Sequence, residues 1–159
     1  MGECQLQLLR DALELRGANP GKRSDSLYHL AISLISRFWQ SGKREDLDEA
    51  IELFPESLNS LTDGHPSVCT VLSRFGCALM QAYSHIHDAK YIEKAMAAYP
   101  VAVTCQSATL SGRFTAARAW ARHADNCSHE LAMDAYQAAI ELLPGLVTSE
   151  NASSSIVSL

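Results

Sequence analysis

A basic excess is missing from this 159-residue chain: 13 Lys and Arg stand against 18 Asp and Glu, for a formal net charge of −5. Nucleic-acid binding needs a cationic face that displaces counterions from phosphates, so no nucleic-acid partner is expected. Long apolar runs are missing too. No stretch approaches the roughly 18 consecutive apolar residues of a membrane span, and no membrane partner is expected. The opening Met1-Gly2-Glu3-Cys4-Gln5-Leu6 has neither the basic flank and apolar run of a secretory signal nor the hydroxyl residue that myristoylation requires at the sixth position, so a cytoplasmic setting is the expectation. The five cysteines, Cys4, Cys69, Cys77, Cys105 and Cys127, are odd in number and form no C-x-x-C pair. That pattern argues against a disulfide framework or a zinc knuckle and for buried free thiols. No Gly-rich phosphate loop or G-x-S-x-G elbow occurs, and no window alternates apolar with polar residues as a half-buried strand would.

What is present is a repeat. Ala31, Gly76 and Ala121 recur at an interval of 45, in step with Leu27, Leu72 and Ala117 and with Leu30, Phe75 and Trp120. Around each, apolar residues fall at three- and four-residue steps, the mark of an amphipathic helix. A second helix follows each of the first two, through Leu47, Ala50, Ile51, Phe54 and Leu58 and, 45 residues on, through Ile92, Ala95, Met96, Tyr99 and Val103. Asp46 and Glu49 have the spacing of a capping box for the first of these. In the last pair the interval contracts, Ala95 to Ala135 being 40 residues. Units that recur at this length bury their apolar faces on one another and form stacked arrays. The expected fold is all-α, a right-handed α-solenoid of antiparallel helix pairs with about seven helices. It would occupy residues 1–144 as a partial repeat at 1–16, repeats at 24–61 and 66–103 and a terminal repeat at 112–143, followed by a disordered Ser-rich tail at 145–159. Pro55 and Pro100 share a phase inside helices, where each removes a backbone hydrogen bond, so kinks or early ends are expected there, or else decay of a gene copy. The 1–16 helix lacks its partner, and Leu6, Leu9 and Leu13 are expected to leave an apolar edge open to self-association.

A small residue after an apolar pair in the first helix (Ala31, Gly76, Ala121), and Ala in the second (Ala50, Ala95, Ala135) followed by Phe54 or Tyr99, resembles the tetratricopeptide repeat. Close helix approach explains the small side chains at these packing positions. The unit is longer than the usual ~34 residues. Leu30-Ala31-Ile32-Ser33-Leu34, Arg44-Glu45-Asp46-Leu47-Asp48-Glu49-Ala50 and Asp63-Gly64-His65-Pro66 are similar to fungal tetratricopeptide arrays that commonly precede a caspase-like CHAT protease domain. The His and Cys pair of such a domain would lie beyond this sequence, so the resemblance carries no peptidase activity. It implies a non-enzymatic protein-interaction scaffold, a piece or relative of the repeat region of a larger protein. The alternatives are a truncated structural fragment without a specific ligand and a metal-dependent enzyme built on His123, Cys127 and His129.

By the same resemblance, the first helices line a concave groove that receives a peptide. Its residues would be Tyr28, Ile32 and Ile35 in the first unit, Ser73, Cys77 and Met80 in the second, and Arg118, Arg122 and Asp125 in the third. Chaperone-binding relatives place Lys and Asn where Tyr28 and Ile32 stand, which disfavours that partner class. Arg118 and Arg122 lie four apart on one helix face, and paired guanidinium groups suit carboxylate or phosphate. The expected partner is a protein or peptide, acidic and carrying apolar anchors that rest on Met80 and Ile35. The plainer reading of the pair is a solvated basic helix satisfied by Asp125 or Glu150. No cofactor, catalytic residue or metal ligand is expected.

Overall fold

Apolar residues at helical spacing become helices along the whole chain. The computed structural model describes residues 3–15, 19–62 and 64–156, with side chains from 6 to 148 within those segments, and over them the backbone forms seven α-helices and no strand. They are α1 (Glu3–Leu15), α2 (Pro20–Ser41), α3 (Arg44–Asn59), α4 (Ser67–Ile86), α5 (Lys90–Thr104), α6 (Leu110–Asn126) and α7 (Ala132–Ile156). The main contacts join α2 to α3, α4 to α5 and α6 to α7; α1 packs on α2, α3 meets α4, α5 meets α6, and α4 also touches α6 directly.

Local chemistry sets several of the ends. Asn19 caps α2 by accepting from the Lys22 N–H at 3.1 Å, with Pro20 in the first turn where its missing N–H is harmless. Gly42 closes α2 in the left-handed region (φ 69°), its N–H donating to the Phe38 carbonyl, a conformation that favours glycine. The Thr109 hydroxyl accepts from the Gly112 N–H and caps α6. The capping box expected at Asp46 and Glu49 does not form. α3 already starts at Arg44, and the buried Asp46 carboxylate instead receives the Arg37 guanidinium of α2 in a bidentate pair, Nε to Oδ2 at 2.7 Å and Nη2 to Oδ1 at 2.6 Å. A charge-assisted fork outcompetes a single local bond to a backbone amide.

The prolines do not break their helices where they stand. α3 continues through Pro55 to Asn59 and α5 through Pro100 to Thr104, four residues beyond each. Each proline frees the carbonyl four residues earlier, but the last turn is held by packing: Phe54, Ser57, Tyr99 and Ala102 are fully buried. The tail boundary at 144/145 is likewise no helix end, since α7 runs through Pro144 and Gly145 to Ile156. A Cβ on Gly145 would lie 3.0 Å from Leu110 Cδ1, so α6–α7 packing persists past Pro144 and supports the helix there.

Two apolar clusters form the interior. One gathers Leu6, Leu30, Ala31, Leu34, Ala50, Phe54, Val71 and Ala78; the other runs from Phe38 and Leu47 through Leu79, Ala95, Tyr99, Ala117 and Trp120 to Ala135 and Leu142. The six small positions, Ala31, Ala50, Gly76, Ala95, Ala121 and Ala135, are all buried. Ser57 serves a similar close approach. Its hydroxyl donates to the Ser24 carbonyl at 3.0 Å and receives the Ser24 hydroxyl at 2.9 Å, satisfying two buried polar groups between α2 and α3.

The N-terminal edge differs from expectation. Leu6 is buried in the first cluster and Leu9 and Leu13 pack against it, so the 3-4 stripe of α1 turns inward; the apolar residues left outside are Leu8 and Leu15. Arg10 on the same helix reaches Glu49 of α3 through two bonds of 2.7 and 2.9 Å.

Candidate functional site

A concavity lies where α4 and α6 meet. On α4, Thr70, Ser73, Arg74 and Cys77 fall at steps of three and four residues and therefore share one face. On α6, Ser111, Thr115, Arg118, Arg122 and Asp125 do the same, and Tyr136 and Ala139 of α7 close one side. Its volume is about 820 Å³ and it is open to solvent, with Ala119 and Ala121 also in its wall. Three guanidinium groups thus face one carboxylate, among five Ser and Thr residues.

None of the ion pairs among the described residues uses Arg74, Arg118 or Arg122, so Asp125 neutralises neither of the α6 arginines. Arg118 instead holds its guanidinium carbon 5.8 Å from the centroid of the Phe114 ring. Arg122 Nη2 lies 3.2 Å from His123 Nε2. A guanidinium can only donate, so His123 Nε2 is the acceptor and the imidazole is neutral. Burial first, and the Arg122 charge second, push the His123 pKa down to about 4, which keeps that acceptor available. The opposite ring contact of His123 is Tyr99, stacked at a centroid distance of 6.0 Å and 15° between planes. Tyr99 donates its hydroxyl to Cys77 Sγ at 3.5 Å, and burial raises its pKa far above the ordinary phenol value. A chain of contacts from Tyr99 through His123 to Arg122 therefore ties the buried core to the cavity wall.

The expected groove divides. Ser73, Cys77, Arg118, Arg122 and Asp125 meet in this cavity. Tyr28, Ile32 and Ile35 are half-buried against the first apolar cluster, with the Tyr28 ring 6.4 Å from Phe54. Met80 is buried and borders a smaller cavity of about 460 Å³ with Gln81, Tyr83, Ser84, His87, His123 and Cys127. The apolar floor expected from Met80 and Ile35 is therefore not part of the cavity that holds the arginines; Ala119, Ala121, Ala139 and Tyr136 line it instead. Arg74 was not foreseen. Its signal was its place on the same face as Ser73 and Cys77, but an exposed arginine without a 45-residue counterpart draws no notice from the repeat alone.

Among the described residues, no group of three or more His, Cys, Asp or Glu is arranged to hold a metal. The three residues considered for that role have other contacts: Cys127 Sγ donates to the His123 carbonyl at 3.1 Å, and His129 Nδ1 accepts from the Leu131 N–H at 3.2 Å. His85 lies in the last turn of α4, its ring 4.9 Å from Phe38 and 5.5 Å from Trp39. No helix among the described residues is long and apolar enough to cross a membrane. Family models, curated proteins and solved structures were each compared with the chain, and none matches it. The class stated by the fold is an all-α chain of seven helices over the described residues.

Proposed function

We propose that this chain is a non-enzymatic protein-interaction scaffold, a right-handed solenoid of antiparallel helix pairs of the tetratricopeptide kind, related to the repeat region of larger fungal proteins with a CHAT domain. Its ligand is an acidic peptide held between α4 and α6. The pairing is supported by short links and by contacts that converge with opposite sequence direction: α2 and α3 are joined at Gly42-Lys43 and meet at Arg37–Asp46 near that link and at Ser24–Ser57 far from it. Direct α4–α6 contact supports stacking of the units.

The observation that carries the ligand assignment is the presence of Arg74, Arg118 and Arg122 in one cavity of about 820 Å³, outside every ion pair formed among the described residues. Guanidinium groups make bidentate bonds to carboxylates, and the hydroxyls of Ser73, Ser111 and Thr115 can complete the hydrogen bonding of a peptide laid across them. The test is fluorescence anisotropy with labelled Asp/Glu-rich and Lys-rich peptides of equal length. The acidic peptide should bind, weaken with added salt, and lose at least ~10-fold in affinity in the R118E/R122E variant. Equal binding of the two peptides, or an affinity unchanged by the double substitution, would refute the assignment.

A further inference from the structure

α7 is apolar on two sides. Its inner side carries Ala135 and Leu142, both buried, with Ala138 and Ala139 packed beside them. Its other side carries Met133, Tyr136, Ile140, Leu143 and Val147, which are 76, 43, 63, 43 and 57% exposed. Their spacing of three, four, three and four residues is a heptad seam, with Met133, Ile140 and Val147 at a and Tyr136 and Leu143 at d. A contiguous exposed apolar patch of this extent marks a contact surface.

The repeat itself says what covers such a face. Tyr136 and Leu143 stand 40 residues after Met96 and Val103 of α5, the interval that relates Ala95 to Ala135. Met96 and Val103 are buried in the cluster that α5 shares with α6. The equivalent side of α7 has no helix upon it among the described residues, and its natural cover is a helix.

We propose that this helix is α7 of a second copy, packed lengthwise and parallel as a short two-stranded coiled coil. Three observations select that occupant. The positions flanking the seam, Ala132, Gln137, Ala139, Pro144 and Leu146, carry no charge, whereas Asp134 and Glu141 lie at the outer b positions. Flanking charges are what specify a different partner in a coiled coil, and their absence lets two copies of net charge −5 meet without repulsion at the contact. Ile140 and Val147 at a with Leu143 at d is the arrangement that favours parallel dimers. Finally, apart from Tyr136, which also borders the α4–α6 cavity, the seam residues lie outside the cluster that α7 shares with α6, so the two bodies lie on opposite sides of the contact. Covering the five side chains in both copies removes on the order of 1,000 Å² of surface, the size at which specific interfaces begin. The seam spans about 21 Å of helix at 1.5 Å per residue.

Sedimentation equilibrium of the full chain over a hundred-fold concentration range decides the matter. The native protein should approach twice the 17.3 kDa of one chain, and I140E/L143E should remain at 17.3 kDa with unchanged helical circular dichroism. L8E/L15E, which alters the exposed leucines of α1, should dimerise as the native protein does. A native chain monomeric throughout, or an I140E/L143E variant still dimeric, overturns the proposal. Loss of the dimer in L8E/L15E with retention in I140E/L143E would place the contact at α1 instead. Orientation is read from V147C, which should form an inter-chain disulfide on mild oxidation beyond the background of the native cysteines; its absence in a dimeric sample excludes the parallel arrangement. M133K/V147K, altered only at the ends of the seam, should weaken dimerisation at least ten-fold and guards against a folding defect in the central variant.

Discussion

Replacing Gly76 with alanine sets two known effects against each other. In a helix interior alanine is favoured over glycine by about 1 kcal/mol, and Gly76 lies in the middle of α4, so on propensity alone the substitution stabilises. The new methyl, however, would stand 2.6 Å from Tyr99 Cζ and 2.8 and 2.9 Å from the two Cε atoms. Those distances are far inside van der Waals contact, and the ring cannot easily yield. Tyr99 is fully buried, its hydroxyl is bonded to Cys77 Sγ and its face is stacked on His123. Overpacking of this kind costs about 1–3 kcal/mol. With the propensity gain deducted, the expected net loss is about 0–2 kcal/mol, a fall in melting temperature of up to ~8 °C for a domain of this size.

The decisive assay is a double-mutant cycle by urea denaturation, with circular dichroism as the readout. Tyr99→Leu removes all three ring atoms in question and is itself destabilising because it leaves a void. In that background Gly76→Ala should become stabilising by up to ~1 kcal/mol, so the sign of one substitution reverses with the identity of residue 99. The coupling between the two sites should be about 1–3 kcal/mol, the overpacking cost itself. A stabilising Gly76→Ala in the native background, or equal effects in both backgrounds, would show that α4 and α5 do not approach as closely as the Gly76–Tyr99 contact requires.

Asp46→Ala should cost about 2–3 kcal/mol because it removes a buried carboxylate's bidentate bonds to the half-buried Arg37 guanidinium, whereas Glu49→Ala, which breaks the exposed pair with Arg10, should cost under ~1 kcal/mol; chemical denaturation compares them, and equal losses would refute the distinction. His123, with its pKa held down to about 4 in the folded state, binds fewer protons there than when unfolded. Its contribution to stability is therefore present above the unfolded value near 6.5 and lost as pH falls through the window to about 4, to a maximum of about 3 kcal/mol that partial exposure reduces to about 1–2. His123→Phe keeps a ring beside Tyr99 and should flatten the slope of melting temperature against pH in that window; an unaltered slope would assign the dependence to other groups. Pro55→Ala restores a bond to the Ile51 carbonyl at an exposed site and should raise the melting temperature by a few degrees, while an unchanged value would mean that the carbonyl is already satisfied.

The helices were legible because their signal is periodic and local. Six small residues at matched positions and the apolar stripes around them suffice to locate α2 through α7, since each position must be small or apolar for the helices to touch. What escaped was anything decided by a partner elsewhere in the chain. Asp46 has the local form of a capping residue, but Arg37, nine residues earlier on another helix, takes its carboxylate. Leu6, Leu9 and Leu13 have the form of an orphaned edge, yet α1 turns that stripe onto the first cluster. Of the candidate groove residues, Ser73, Cys77, Arg118 and Arg122 share a cavity because they sit on the facing sides of two helices in direct contact. Tyr28, Ile32 and Ile35 kept the repeat's phase but are drawn into apolar packing, and phase alone does not distinguish a lining residue from a packed one. The seam on α7 was hidden for a related reason: a helix with apolar residues on both sides shows no single stripe.

The link between the Gly76–Tyr99 contact and the cavity gives the core a part in the proposed ligand binding. The glycine lets the Tyr99 ring lie against α4, that ring stacks on His123, and the neutral imidazole accepts a hydrogen bond from Arg122. A charged His123 could not accept that bond and would add a second cation beside the guanidinium. The burial that depresses the His123 pKa therefore also preserves the orientation of Arg122 over the neutral range, where an acidic peptide is fully ionised. Gly76→Ala, by moving Tyr99, should disturb Arg122 as well as stability. Affinity for an acidic peptide is thus expected to fall in a variant whose substituted atom lies in the interior, and Tyr99→Phe, which keeps the stacked ring but not the bond to Cys77, should leave it nearly unchanged.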